Sequence, residues 1–176
     1  MRVCRFPLAP PLPPFEVEGT IRQLRQVGCT MRFHHEIVIQ RTVSDVFTYM
    51  DDVSREREWQ PGILDARKEP TGPTGIGTRK SYVSEFMGRR IENTYVTRVF
   101  EPDRQVVYET TPDSVLQARA ELRWEPVESG TRVTMSFEGK VRGPLRLIPR
   151  PVLETVYKKE LERTLGLLKA RLESSA

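Results

Sequence analysis

The stretch that most limits what this chain can fold into is its last, Pro151 to Ser174. Pro151 suits the first helical position, where a missing N–H costs nothing, and after it no Pro and only one Gly, Gly166, follow. Leu153, Val156, Tyr157, Leu161, Leu165, Leu168 and Leu172 recur at steps of three and four, the helical period. Glu154 and Lys158 stand at the i,i+4 spacing of a favourable pair. At 1.5 Å per residue such a helix is roughly 35 Å long, enough to cross a small domain. Each large side chain of its stripe gains roughly 1.5–3 kcal/mol on burial. An apolar surface upstream must therefore receive it.

That surface reads as a sheet. From Arg32 to Gln40 apolar and polar residues nearly alternate, with Phe33, His35, Ile37 and Ile39 on one face. Thr42 or Ser44 caps a short helix holding Val46, Phe47 and Met50. Asp51-Asp52-Val53-Ser54 breaks it, and Arg55 to Glu58 forms a second turn or short helix ending at Trp59-Gln60-Pro61-Gly62. The rest of the middle is strand and turn: Ile63 to Lys68, Thr78 to Met87, Arg90 to Phe100, Gln105 to Thr110, Val115 to Glu125 and Thr131 to Val141. Glu101-Pro102-Asp103-Arg104 has the composition of a type I turn. Strands spaced by hairpin turns predict an antiparallel sheet. Leu116, Ala118, Ala120, Leu122 and Trp124 mark its inward face, with Val133, Met135 and Phe137 beside them. The expectation is an α+β domain of about seven strands closed by the long helix.

Residues 1–30 differ in kind. Pro7, Pro10, Pro11, Pro13 and Pro14 give polyproline-II character without a core. The segment is expected to be a disordered Pro-rich N-terminal extension, or the product of an upstream start codon, with Met31 opening the domain of residues 31–176. A proline-rich ligand for a partner domain is the alternative. No apolar run approaches the ~20 residues of a membrane span, and no signal-peptide core follows Met1, so the expected compartment is the cytoplasm. The net charge of +4 comes from 28 basic and 24 acidic residues, interspersed. A mixed solvated surface fits this better than nucleic-acid binding. Cys4 and Cys29 have no His or Cys partners at zinc spacing, and neither a metal nor a cofactor is called for.

Several segments, in this order, resemble the START-like (SRPBCC) superfamily, which includes polyketide cyclases and dehydrases, plant pollen-allergen proteins and lipid-transfer domains. They are Ile39-Gln40-Arg41-Thr42-Val43-Ser44-Asp45-Val46-Phe47, Glu58-Trp59-Gln60-Pro61, Val96-Thr97-Arg98-Val99-Phe100-Glu101-Pro102, and the hairpin from Trp124-Glu125-Pro126 to Gly130-Thr131-Arg132-Val133-Thr134. The likeness runs from about Met31 to Glu173 and is strongest to the polyketide cyclase/dehydrase and lipid-transport group. It implies a helix-grip fold, a curved sheet around the C-terminal helix with a cavity between them.

A cavity implies binding of a small hydrophobic molecule such as a lipid, polyketide or isoprenoid. Trp59, Tyr82, Phe86, Tyr95, Tyr108, Met135, Leu153 and Tyr157 are the lining candidates, because tyrosine joins an apolar body to a polar tip. A cyclase or dehydratase is the alternative, with His35, Tyr82 or Tyr157 moving protons. Packed core is the plain reading of each. Glu85, Glu109 and Arg119 are charged strand residues, of which Glu85 and Arg119 fall outward. No Gly-x-Ser-x-Gly, phosphate-binding loop or Cys–His pair is present in the domain. The third class is an interaction module that sets a strand edge, or Arg142, Arg146 and Arg150, against a partner or membrane surface.

Overall fold

The computed structural model describes residues 30–142 and 147–174. The Pro-rich stretch, both cysteines and Arg146 lie outside the described residues. The chain runs β1 (Met31–Ile39), α1 (Val43–Asp51), a single 3-10 turn (Val53–Arg55), α2 (Glu56–Trp59), then six consecutive strands and a long helix. The strands are β2 (Ile63–Glu69), β3 (Arg79–Phe86), β4 (Arg89–Glu101), β5 (Gln105–Thr110), β6 (Leu116–Val127) and β7 (Gly130–Val141), and the helix is α3 (Arg150–Ser174). All seven strands form one antiparallel sheet, ordered β1-β7-β6-β5-β4-β3-β2. This is the expected α+β helix-grip architecture.

Local chemistry explains the joints. Thr42 caps α1: its hydroxyl oxygen accepts from the Asp45 backbone N–H at 3.2 Å. Met87 and Gly88 both have positive φ, 51° and 70°, which gives β3 and β4 a two-residue hairpin of the type that matches sheet twist. At Glu101–Arg104 the expected hydrogen bond forms, Arg104 N–H to Glu101 carbonyl at 3.1 Å. Asp103, however, has φ 60°, and a positive φ at the third position belongs to a type II turn rather than type I. Gly130 opens β7 with φ 131°, and a Cβ there would lie 2.2 Å from the Ile39 carbonyl oxygen. Only glycine lets the β6–β7 hairpin pass so close to the end of β1.

The C-terminal half of α3 covers β1 and the α1 region. Leu165 and Leu168 are fully buried, packed with Ile39, Val46, Met50, Trp124 and Val133. Polar ties fix this end: the Arg41 Nε–H donates to the Leu172 carbonyl at 2.9 Å, and the Gln40 N–H donates to Glu173 Oε1 at 2.9 Å. Arginine on a last-turn carbonyl also suits the helix dipole. Glu154 takes Arg150 as its partner instead of Lys158, which pairs with Glu162. Both are i,i+4 pairs, so the stripe was legible while the choice between neighbours was not. Arg142, read as part of a basic segment, donates to the Pro112 carbonyl at 2.9 Å.

Candidate functional site

A cavity of about 230 Å³ lies under the two short helices. From α1 and the segment after it come Phe47, Met50, Asp51, Glu56, Trp59 and Gln60, and strands β3 to β7 supply the rest, among them Tyr82, Tyr95, Tyr108, Leu122, Trp124 and Met135. None of the lining residues belongs to α3. The expected place, between sheet and C-terminal helix, is therefore corrected to one between sheet and short helices. The reason is packing. Tyr157 stacks on Phe86 with centroids 4.6 Å apart and on Phe33 and Phe137 at 5.7 and 6.2 Å, so aromatic rings fill the space beside the first half of α3.

The expected lining residues thus divide. Trp59, Tyr82, Tyr95, Tyr108 and Met135 border the cavity. Phe86 and Tyr157 belong to the aromatic stack, and Leu153 is buried outside the lining. His35 shares the inward face of β1 with Phe33 and sits opposite Met135 in the ladder, also outside the lining, while exposed His34 meets the Ser136 hydroxyl at 3.1 Å. Glu85 and Arg119 point outward as expected. Glu109, half-buried, accepts from Arg98 and Arg119.

One side of the cavity carries charge that sequence reading missed. Lys80 is 2% exposed, and its Nζ lies 3.3 Å from Asp51 Oδ1, 3.8 Å from Glu56 Oε1 and 5.5 Å from the centre of the Tyr108 ring. The ammonium also donates to the Asp51 carbonyl at 3.3 Å. Glu56 is buried and accepts the Tyr82 hydroxyl at 2.8 Å on one oxygen and the Gln60 amide on the other. Tyr95 sets its ring edge-on to Tyr82, with centroids 5.8 Å apart.

Electrostatics follow from this burial. Desolvation pushes the Glu56 carboxyl above the usual carboxylate range, against the opposing pull of Lys80 and the Tyr82 hydrogen bond. For Lys80 desolvation acts against the charge, but Tyr108, Glu56 and Asp51 outweigh it and the pKa rises. Burial also raises Tyr82, Tyr95 and Tyr108, and it pushes Tyr157 up to about 12. The tyrosines therefore stay neutral phenols at ordinary pH. A signal for Lys80 was present, since alternation through Tyr82 and Ser84 puts it on the same inward face. Asp51 and Glu56 gave none, because only the tertiary fold brings them to β3.

The family described as polyketide cyclase/dehydrase and lipid transport matches residues 30–173. The chain belongs to this family. No curated protein matches it. Among solved structures, the START superfamily protein from Mycobacterium smegmatis is 14% identical with a TM-score of 0.68, over 84% of this chain and 99% of that one. A protein from Thermus thermophilus is also 14% identical, with a TM-score of 0.69 over 84% of this chain and 99% of its own. The di-domain aromatase/cyclase StfQ, from the steffimycin biosynthetic pathway, is 16% identical with a TM-score of 0.68 over 90% of this chain. The chain spans 55% of that di-domain protein, about half its length. At these identities the likeness is one of fold. Among the described residues, no helix is long and apolar enough to cross a membrane and no group of His, Cys, Asp and Glu could hold a metal ion.

Proposed function

We propose that this family member binds a small hydrophobic molecule in the cavity under its short helices. The supporting observation is an aromatic-walled space of about 230 Å³ beside a buried polar cluster. Ligand sites commonly span ~300–1,000 Å³, so this space suits a compound of one or two rings better than a two-chain lipid. Family membership supports the same reading. The test is titration with Nile red, a neutral environment-sensitive dye, beside denaturant melts. Saturable uptake is expected. Tyr95→Ala should weaken uptake more than it lowers stability, whereas Tyr157→Ala, in the aromatic stack, should cost about 3–5 kcal/mol. A folded wild-type protein that takes up no dye would sink the reading, and an interaction role would lead.

The Glu56–Tyr82 hydrogen bond favours a second reading, a cyclase or dehydratase acting on a polyketide-like compound. A buried carboxyl with a raised pKa, bordering a cavity, suits general acid–base work near neutral pH. Glu56 and Tyr82 then replace His35 and Tyr157 as the groups that move protons. Its mark is a product lighter by one water from a poly-β-ketone surrogate, lost in Glu56→Gln.

A further inference from the structure

The polar groups that border the cavity are unbalanced in sign. Asp51 and Glu56 are among the lining residues, and Lys80, whose ammonium lies near both carboxylates, is not. Gln60 and Tyr82 already donate to Glu56. Two carboxylates thus stand against one buried ammonium. An uncompensated charge in a low-dielectric site is costly, and two things can restore the balance. A proton can settle on Glu56, or a second cation can enter from the cavity. The rest of the wall suits a cation, since Tyr82, Tyr95, Tyr108, Trp59 and Trp124 border the same space and aromatic faces attract positive charge. Lys80 shows the chemistry in place, held by the two carboxylates and facing the Tyr108 ring.

Building on the binding function proposed above, we propose that the cavity's ligand is a small hydrophobic amine, its protonated nitrogen seated at Glu56 and Asp51 and its apolar body against Phe47, Trp59 and Trp124. A carboxylate ligand would deepen the imbalance, and an alcohol would leave it as it is. The amine and the Glu56 proton compete for one role. Binding should therefore strengthen as pH rises through the Glu56 titration. The groups facing Glu56 in this balance are Asp51, Lys80, Tyr82, Tyr95 and Tyr108.

The experiment is calorimetric titration of the full chain with three probes of like shape: 2-phenylethylamine, 2-phenylethanol and 3-phenylpropanoate. At about pH 8 the amine should bind at least about tenfold tighter than the alcohol, and the carboxylate weakest of the three. Lowering the pH to 4.5, the ordinary value of the Glu56 carboxyl, should weaken the amine, which keeps its charge there, and leave the alcohol unchanged. Glu56→Gln should bring the amine to the level of the alcohol. If that variant does not fold, Asp51→Asn and the wild-type pH series carry the same decision. An alcohol as tight as the amine, a tightest carboxylate, or an amine affinity unmoved by pH would overturn the proposal. Nile red separates the two failures. Dye uptake without amine preference overturns the amine alone, and no uptake of dye or probe overturns the binding function as well.

Discussion

Two regions of this interior differ in what they tolerate. Under the C-terminal half of α3, Leu165, Leu168 and Leu172 cluster with Ile39, Val46 and Val133, apolar and close-packed. A few residues along the same sheet, under α1 and α2, the wall is aromatic and the charges of Lys80, Glu56 and Asp51 are gathered beside an open space. The first region is what burial of apolar area produces when nothing else is asked of it. The second departs from it at a cost, because buried ion pairs seldom out-stabilise well-packed apolar residues of the same volume. Stability therefore accounts for the first region, and the second is where the proposed site lies.

The largest test is to place charge in the dry region. Leu165→Asp should give insoluble or unfolded protein, because nothing there can pair with it. A soluble, cooperatively folding variant would erase the contrast. Lys80→Met comes next: it strands two carboxylates, and removing one partner of a buried pair costs about 3–5 kcal/mol in a denaturant melt. A loss below about 1 kcal/mol, the worth of an exposed pair, would mean that water screens the cluster and that the regions are alike. Tyr82→Phe is milder. It removes one donor from buried Glu56, for a loss of about 1–3 kcal/mol, and it should raise the Glu56 pKa further.

The smallest effect is on the pH profile. Glu56 holds its proton in the folded state to higher pH than its ordinary value of 4.5. Between that value and the raised one the folded state binds more protons than the unfolded state, so this group's contribution to stability falls as pH rises. Thermal melts of the wild type and Glu56→Gln should then diverge in favour of the variant with increasing pH. A gap that stays constant, or narrows, would show that Glu56 is not perturbed by burial.

The sequence by itself determined the elements and their faces. The helical period of Leu153 to Leu172 located α3 to within one residue at its start, and alternation in β6 and β7 placed Leu122, Trp124 and Met135 inward. Periodicity is a local property, set by backbone geometry, so a single chain displays it. Which of two neighbours Glu154 would pair with, and the turn type at Asp103, lay below that resolution. The tertiary structure alone decided where empty space remains. The same stripe that predicted burial of Tyr157 could not tell whether that ring would face a cavity or stack on Phe33, Phe86 and Phe137. The charged side of the site is likewise tertiary: Asp51 and Glu56 meet Lys80 across 29 and 24 residues of chain. A pattern with a period of two or three and a half residues reports which side of an element is buried. What waits on that side is settled by the packing of elements distant in sequence.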